Sequence, residues 1–445
     1  MMIRTHLLLL VSLSSLLLFV NTTSAQSVLT LEEAVQIGLE NNYGLQISRN
    51  LQEQADNNLT LGNAGFLPSI DLTAGRTERI EDSEFRSADG TGSTNEGARS
   101  TTTNAAINLN WTLFDGLTSF ARYDRLGKLK EISDEQLRFD MELLVSRIAL
   151  SYFNIIRISE QMKVLEDNIE VSLERIEIEE TKVDLGSGSE YDLLQARSDL
   201  NADRAAYIRE RNLLNEAKIN LNELLSQDPK TDFVVVSEIQ VNRFLPEEEL
   251  FNKLMNENAE LAIARFEHEV SRLELREIQG ERYPQLSLTS GYSFNRSEND
   301  GGFFQFNETT GFSIGITARV NIFNGFNLNR RVQNAQITQK NAELNLESQK
   351  LRLESDFEAI YRSYLNNLEL VDLEEENLAN AEETLDIALE RFRLGSISSL
   401  EFREAQRTFL AAENRLIRAK FDAKVAETEL LQLTGELEQI FATMQ

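Results

Sequence analysis

The sequence predicts a mainly α-helical, internally duplicated chain in which long coiled-coil hairpins carry four β-strands of a membrane-barrel type. Three observations lead there. One glycine corner is written twice, as "KVDLGSGSEYDLLQAR" (Lys182 to Arg197) and "RFRLGSISSLEFREAQ" (Arg391 to Gln406), 209 positions apart (395 − 186). Apolar residues in the flanking segments recur every seven positions, the spacing of helices packed along one seam. Four short stretches alternate apolar and polar residues with period two, as strands with two unlike faces do.

In chain order, residues 1–25 read as a secretory signal, with Arg4 at its start, an apolar stretch from Leu7 to Val20 and the small residues Thr23-Ser24-Ala25 before Gln26. That stretch is too short to span a bilayer as a helix, so the mature chain is expected to be exported and released. The first structural repeat covers 26–228. It opens with "LTLEEAVQIGLENN", where Thr30 and Glu33 fit a capping box. Strands are expected at about 66–77, from "FLPSIDLTAG", and at about 104–114, where Ile107, Leu109, Trp111 and Leu113 oppose Asn108, Asn110 and Thr112. The polar run between them, Glu78 to Arg99, reads as a loop. A helix from Leu117 to Leu185 would reach roughly 100 Å at about 1.5 Å per residue. It turns at a corner near 186 and returns with Leu193, Leu200, Tyr207, Leu214 and Leu221 in heptad register.

The second repeat, 229–445, restates this plan. A collar segment at 229–257 contains the short strand candidate "DFVVVSEI", and "NENAELAIAR" then matches "ENNYGLQISR" of the first repeat. The collar is expected to take in the capping-box segment and the tail after Gly435. Strands follow at about 284–296 and 311–323, the latter placing Phe312, Ile314, Ile316, Ala318, Val320 and Ile322 against Thr317, Arg319 and Asn321. The helix from Phe326 to Leu394 has the same length as its counterpart, which suggests that both tips end at one level. A corner near 395 leads to a last helix carrying Phe402, Phe409, Leu416, Ala423 and Leu430.

Two hairpins of strands are too few to close a barrel, and open edges cannot sit in hydrocarbon. Three chains would supply twelve strands and a closed wall. Trp111, Phe114 and Phe323 fall at expected strand ends, where aromatic residues mark the membrane–water boundary.

Composition narrows the function. A formal charge of −29, or −30 once Arg4 leaves with the signal, argues against nucleic acid as a partner. It fits either a solvated surface or an acidic interior. No cysteine is present, which excludes disulfides, a lipid-modified cysteine and thiolate metal sites. His6 leaves with the signal, and His268 alone builds no zinc site and reads as a helix-surface residue. No glycine-rich phosphate loop occurs, so neither a cofactor nor enzyme chemistry is expected.

The chain resembles the TolC-type outer-membrane efflux family over nearly its whole mature length. The likeness rests on "LTLEEAVQIGLENN", the strand starts at Pro68 and Pro284, "LFDG" with "IFNG", and above all the doubled "LGSGSEYDLLQA" and "LGSISSLEFREA". The resemblance implies a homotrimer with a 12-stranded barrel in the outer membrane and an α-barrel tunnel through the periplasm. Its partners would be a periplasmic adaptor (membrane fusion) protein, an inner-membrane transporter of the RND, ABC or MFS class, and outer-membrane lipid. The activity implied is that of a passive exit duct for tripartite efflux or type I secretion, opened by adaptor docking that lets the second-half hairpin splay.

Matched by position, Glu401 and Glu404 fall where the family places two acidic residues around the closed periplasmic end, and Asp192 matches an acid after the first corner. Glutamates at a helix start are also favoured by the helix dipole alone. Leu185, Gly186, Ser189, Leu394, Gly395 and Ser398 match the segments where adaptors dock. Asn108, Asn110, Thr112, Thr317, Arg319 and Asn321 would line the barrel lumen. Ile397 and Phe392 depart from an arginine and a tyrosine found in some members, so another contact must hold the end shut. A rival reading is a trimeric structural or adhesive coiled-coil surface protein with a barrel anchor, which has no need of equal helix lengths.

Overall fold

The structure, a computed structural model, describes residues 27–437 apart from 237, 302 and 303. The expected signal segment and most of the tail after Gly435 lie outside them. The elements run β1 (Ser27–Leu29), α1 (Leu31–Asn41), α2 (Tyr43–Asn58), α3 (Leu61–Ala64), β2 (Ser69–Arg86), β3 (Gly92–Phe114), α4 (Thr118–Asp184) and α5 (Glu190–Leu224). The second half continues with β4 (Phe233–Val235), α6 (Glu247–Glu257), α7 (Ala259–Gly280), β5 (Gln285–Asn299), β6 (Phe306–Arg319), α8 (Asn327–Arg393) and α9 (Ser399–Thr434). No helix among the described residues is long and apolar enough to cross a membrane. The chain divides into two compact units, one of residues 1–43, 142–247 and 359–445, the other of 44–141 and 248–358.

The second of these holds one antiparallel sheet in the order β2-β3-β5-β6, so β2 and β6 are its edges. Four helix segments form a layer in the same unit. Ser48 donates to Asp140 at 2.5 Å between α2 and α4, Arg125 pairs with Glu277 at 2.7 Å between α4 and α7, and Gln349 donates to Glu260 at 2.7 Å between α7 and α8. That layer also ends in two free edges. Exposed apolar residues mark both, Ile47 and Leu51 on α2 and Ile337, Leu344 and Leu351 on α8.

Three features of the sheet differ from the sequence expectation. β2 and β3 run on through most of the polar stretch from Glu78 to Arg99, leaving only 87–91 as the turn. Alternation is not demanded where both faces meet water, and cross-strand pairs such as Arg99–Glu78 (3.2 Å) hold the ribbon instead. β6 stops at Arg319, opposite Gln285, so Asn321 and Phe323 lie beyond it. The next partner would be Pro284, which has no N–H to extend the ladder. Finally, a bulge between Thr112 and Phe114 brings Phe114 opposite Leu286, on the apolar face that strict alternation would deny it.

In the other unit, β1 and β4 form a two-stranded parallel sheet with Leu29 opposite Val235. The capping box is present, the Thr30 hydroxyl accepting from Glu33 N–H while the Glu33 carboxylate accepts from Thr30 N–H. The buried Tyr152 hydroxyl donates to the Leu29 carbonyl (2.9 Å) and accepts from Val236 N–H (3.2 Å), tying the sheet to α4. Nearby, Lys424 and Glu427 form a fully buried ion pair at 2.8 Å. The other Glu427 oxygen accepts from Asn242 N–H (3.0 Å), and the Tyr364 hydroxyl donates to the Asn242 carbonyl (2.6 Å). Burial pushes the Glu427 carboxyl up from its ordinary range while Lys424 pulls against that shift.

Candidate functional site at the hairpin corners

Both corners are built alike. Gly186 (φ 72°) and Gly395 (φ 71°) take the left-handed conformation that an L side chain resists. Around each, two backbone bonds close the helix end: Gly186 N–H to Val183 O and Ser187 N–H to Lys182 O, both 2.9 Å, and Gly395 N–H to Phe392 O (3.0 Å) with Ser396 N–H to Arg391 O (2.9 Å). Ser189 then caps α5, its hydroxyl accepting from Tyr191 N–H, and Ser398 caps α9. Leu185 and Leu394 are left about four-fifths exposed. Both border a cleft of about 1040 Å³ with Asp192 and Ile397.

The two glutamates of the second corner are not equivalent. Glu401 closes a capping box, its carboxylate accepting from the Ser398 N–H and hydroxyl, both at 2.8 Å. Those bonds hold its carboxyl below the usual glutamate range. Glu404 is exposed, and its carboxylate forms no hydrogen bond or ion pair among the described residues. Asp192 is half-buried in the first turn of α5. Phe392 lies flat on Phe402 (ring centroids 4.9 Å apart, planes 9° apart), with Lys182 Nζ 3.6 Å from the Phe392 ring centre. Ile397 packs against the same cluster.

What sequence reasoning missed is a polar clasp joining the two hairpins. Arg175 on α4, nearly fully buried, donates through Nε and Nη2 to Ser399 Oγ (3.0 and 2.9 Å) and through Nη1 to Asp199 (2.8 Å). Arg403 on α9 reaches both oxygens of Asp203 on α5 (3.0 and 2.9 Å), and Ser172 donates to Asp203 at 2.6 Å. Gln406 donates to Asn168 (2.9 Å) and Ser172 (2.9 Å) on α4. Arg393 of α8 adds an exposed pair with Glu174 of α4 (3.0 Å).

The signal for this clasp was present as a second stripe. Asn168, Ser172, Arg175, Glu179 and Lys182 follow the four-three spacing of a coiled-coil seam, as do Ser399, Arg403 and Gln406. Polar residues at such spacing look like a solvated face until a partner stripe is seen to meet them. The α8–α9 seam, by contrast, is apolar, with Val371, Leu416, Ala419 and Ala423 in one cluster and Leu385, Ala388, Phe392 and Phe402 in another.

The sheet sorts its faces row by row. Leu72, Ile107, Tyr292 and Phe312 stand opposite one another across all four strands, and Trp111, Leu288 and Ile316 across three. On the other face Asp71, Asn108, Gly291 and Ser313 form a row, Asn110 joins Thr289, and Thr112 meets Ser287 and Thr317. Most of the apolar side chains lie open: Leu72 is 74% exposed, Phe312 68% and Tyr292 56%. Patches this continuous on one sheet face are unusual on a chain that lives in water alone.

The family model described as "Outer membrane efflux protein" matches residues 34–227 and 250–436. Outer membrane protein TolC of Vibrio cholerae is 21% identical over 392 residues, 86% of this chain and 85% of that protein. The alkaline protease secretion protein AprF of Pseudomonas aeruginosa is 22% identical over 430 residues, covering 92% and 86%. Among solved structures, the outer-membrane channel OprN superposes with a TM-score of 0.76 at 18% identity, over 91% of this chain and 90% of that one, a likeness of fold.

Proposed function

The chain belongs to the outer membrane efflux protein family, and from that membership we propose that it is a passive exit duct of the outer membrane, serving efflux or secretion as a homotrimer. The observation that carries the reading is the sheet, which has one apolar face and one polar face yet ends in two unpaired edges. Hydrocarbon tolerates the apolar face but not the edges, so β2 of one copy must pair with β6 of another. Two copies would give eight strands, whose inward side chains fill the interior. Three give twelve, and leave a polar passage lined by Asn108, Asn110, Thr112, Thr317 and Arg319, with Asn321 just past the end of β6. The edges of the helical layer, Ile47 and Leu51 on α2 and Ile337, Leu344 and Leu351 on α8, close in the same step.

The corners form the closed end, where Leu185, Gly186, Ser189, Leu394, Gly395 and Ser398 receive a periplasmic adaptor bridging to an inner-membrane transporter. Energy comes from that transporter, and no chemistry is assigned to the duct. Threefold symmetry brings three copies of Glu404 together, and mutual repulsion draws cations to the mouth. Because the Glu401 carboxylate is engaged in its cap, Glu404→Ala is expected to weaken block by a multivalent cation more than Glu401→Ala does, measured as single-channel conductance in planar bilayers. If neither substitution alters conductance or block, the acidic gate is refuted.

A further inference from the structure

Where the sheet meets the helices, its polar face carries a cavity of about 430 Å³. Thr112 of β3, Gln285 of β5, Arg319 of β6 and, just outside the strands, Tyr283 and Asn321 border it, together with Asp115, Arg122 and Glu281. The first five side chains form no hydrogen bond or ion pair among the described residues. The carboxylates beside them are engaged elsewhere. Glu281 is paired through both oxygens with Arg331. Asp115 accepts from the Ser119 N–H (2.8 Å) and hydroxyl (2.5 Å) at the start of α4, where the helix dipole offsets its charge. Glu277, which pairs with Arg122 at 3.6 Å, is also held by Arg125 at 2.7 Å, two cations on one anion. Arg319 is left as a spare cation among neutral groups that can donate.

Nothing farther along the face neutralises it. Beyond the row of Gln285 and Arg319, the polar face presents only serine, threonine, asparagine and glycine until the row that joins Asp71 to Ser313. Ser313 lies six residues from Arg319 on β6 (319 − 313), about 20 Å at about 3.3 Å per residue. That is more than twice the screening length of about 8 Å in physiological salt. The guanidinium fork presents two parallel N–H groups, which match the two oxygens of a carboxylate or phosphate. Hydroxyl and amide donors around it can serve the oxygen lone pairs that remain.

We propose that this cavity is a binding station for the anionic oxoacid group, carboxylate or phosphate, of solutes travelling the passage, with Arg319 as its anchoring residue. This rests on the reading of the chain as a duct, which puts the polar face on the passage and lipid on the other. The occupant is therefore a soluble anion and not a headgroup. The cavity itself is built from one copy, so a threefold duct carries three such stations around its axis.

The test uses the full-length protein in a maltoside detergent, free of lipid, with inorganic phosphate as the probe at fixed chloride. The phosphorus NMR line of phosphate is recorded with the natural chain, with Arg319→Gln and with Arg79→Gln. Arg79 stands on the same face farther out, 3.8 Å from Glu81, and controls for arginine charge in general. The natural chain is expected to broaden the line, and citrate, a carboxylate without phosphorus, to narrow it again by competition. Arg319→Gln is expected to weaken binding about tenfold or more, as the loss of charge-assisted hydrogen bonds does. Arg79→Gln is expected to behave as the natural chain. No broadening by trimers of the natural chain, broadening that citrate leaves untouched, or broadening unchanged by Arg319→Gln overturns the station. An equal loss in both arginine variants does so too, since it would show attraction by charge without a site. Size measured on the same samples separates these results from failure of the duct reading, which a monomeric protein overturns however the line behaves.

Discussion

At the scale of single residues, the two repeats are alike in sequence and unlike in tolerance. Gly116 and Gly325 both follow a strand, both have positive φ (73° and 67°), and each precedes a bulky left-handed residue, Leu117 or Phe326. A Cβ on Gly116 would lie 2.1 Å from the Gly280 carbonyl oxygen, whereas one on Gly325 would come no nearer than 3.9 Å to Asn327. Gly325→Ala therefore meets backbone strain alone, about 1–2 kcal/mol. Gly116→Ala meets that strain and a backbone collision together. The yield of assembled protein in outer-membrane fractions is expected to fall much further for Gly116→Ala, and equal yields would show that the Gly116–Gly280 approach is not needed.

At the scale of elements, the buried Lys424–Glu427 pair is the sharpest commitment in the helical body. Lys424→Met leaves the Glu427 carboxylate buried without its cation, and breaking such a pair costs about 3–5 kcal/mol. Replacing both, as Lys424→Met with Glu427→Leu, removes the stranded charge and is expected to recover most of the loss in thermal unfolding. A double variant as unstable as the single one would mean that the Asn242 contact matters more than the charge. The helices and corners were legible because heptads and Leu-Gly-Ser steps are local patterns. The clasp was not, since Arg175, Asp203 and Gln406 gain their meaning from partners on other helices. The strand ends were half legible: Pro284 explains the stop of β6, but the ribbon through Glu78 and Arg99 has no apolar rhythm to betray it. The two glutamates expected at the gate lie at the start of α9, yet nothing in the letters distinguished Glu401, engaged in its cap, from the exposed Glu404.

For the whole molecule, the same sheet must satisfy oil and water at once. A lysine placed on the row of Leu72, Ile107, Tyr292 and Phe312 would face hydrocarbon, at about 2–4 kcal/mol near the middle of a bilayer. One residue away, a lysine on the row of Asn108 would face the passage. Leu72→Lys is expected to lower the membrane-inserted fraction, and Asn108→Lys to spare insertion while shifting the ion preference of the open pore. Reversed outcomes would mean that the two faces have been assigned backwards. The equality of α4 and α8, 67 residues each, reaches further still. A seven-residue insertion in one alone would push its corner about 10 Å beyond its twin and shift the rungs between the insertion and the corner by one heptad against their partners. Length in such a chain comes in duplicate, so a heptad added to α4 is expected to be tolerated only with a matching heptad in α8.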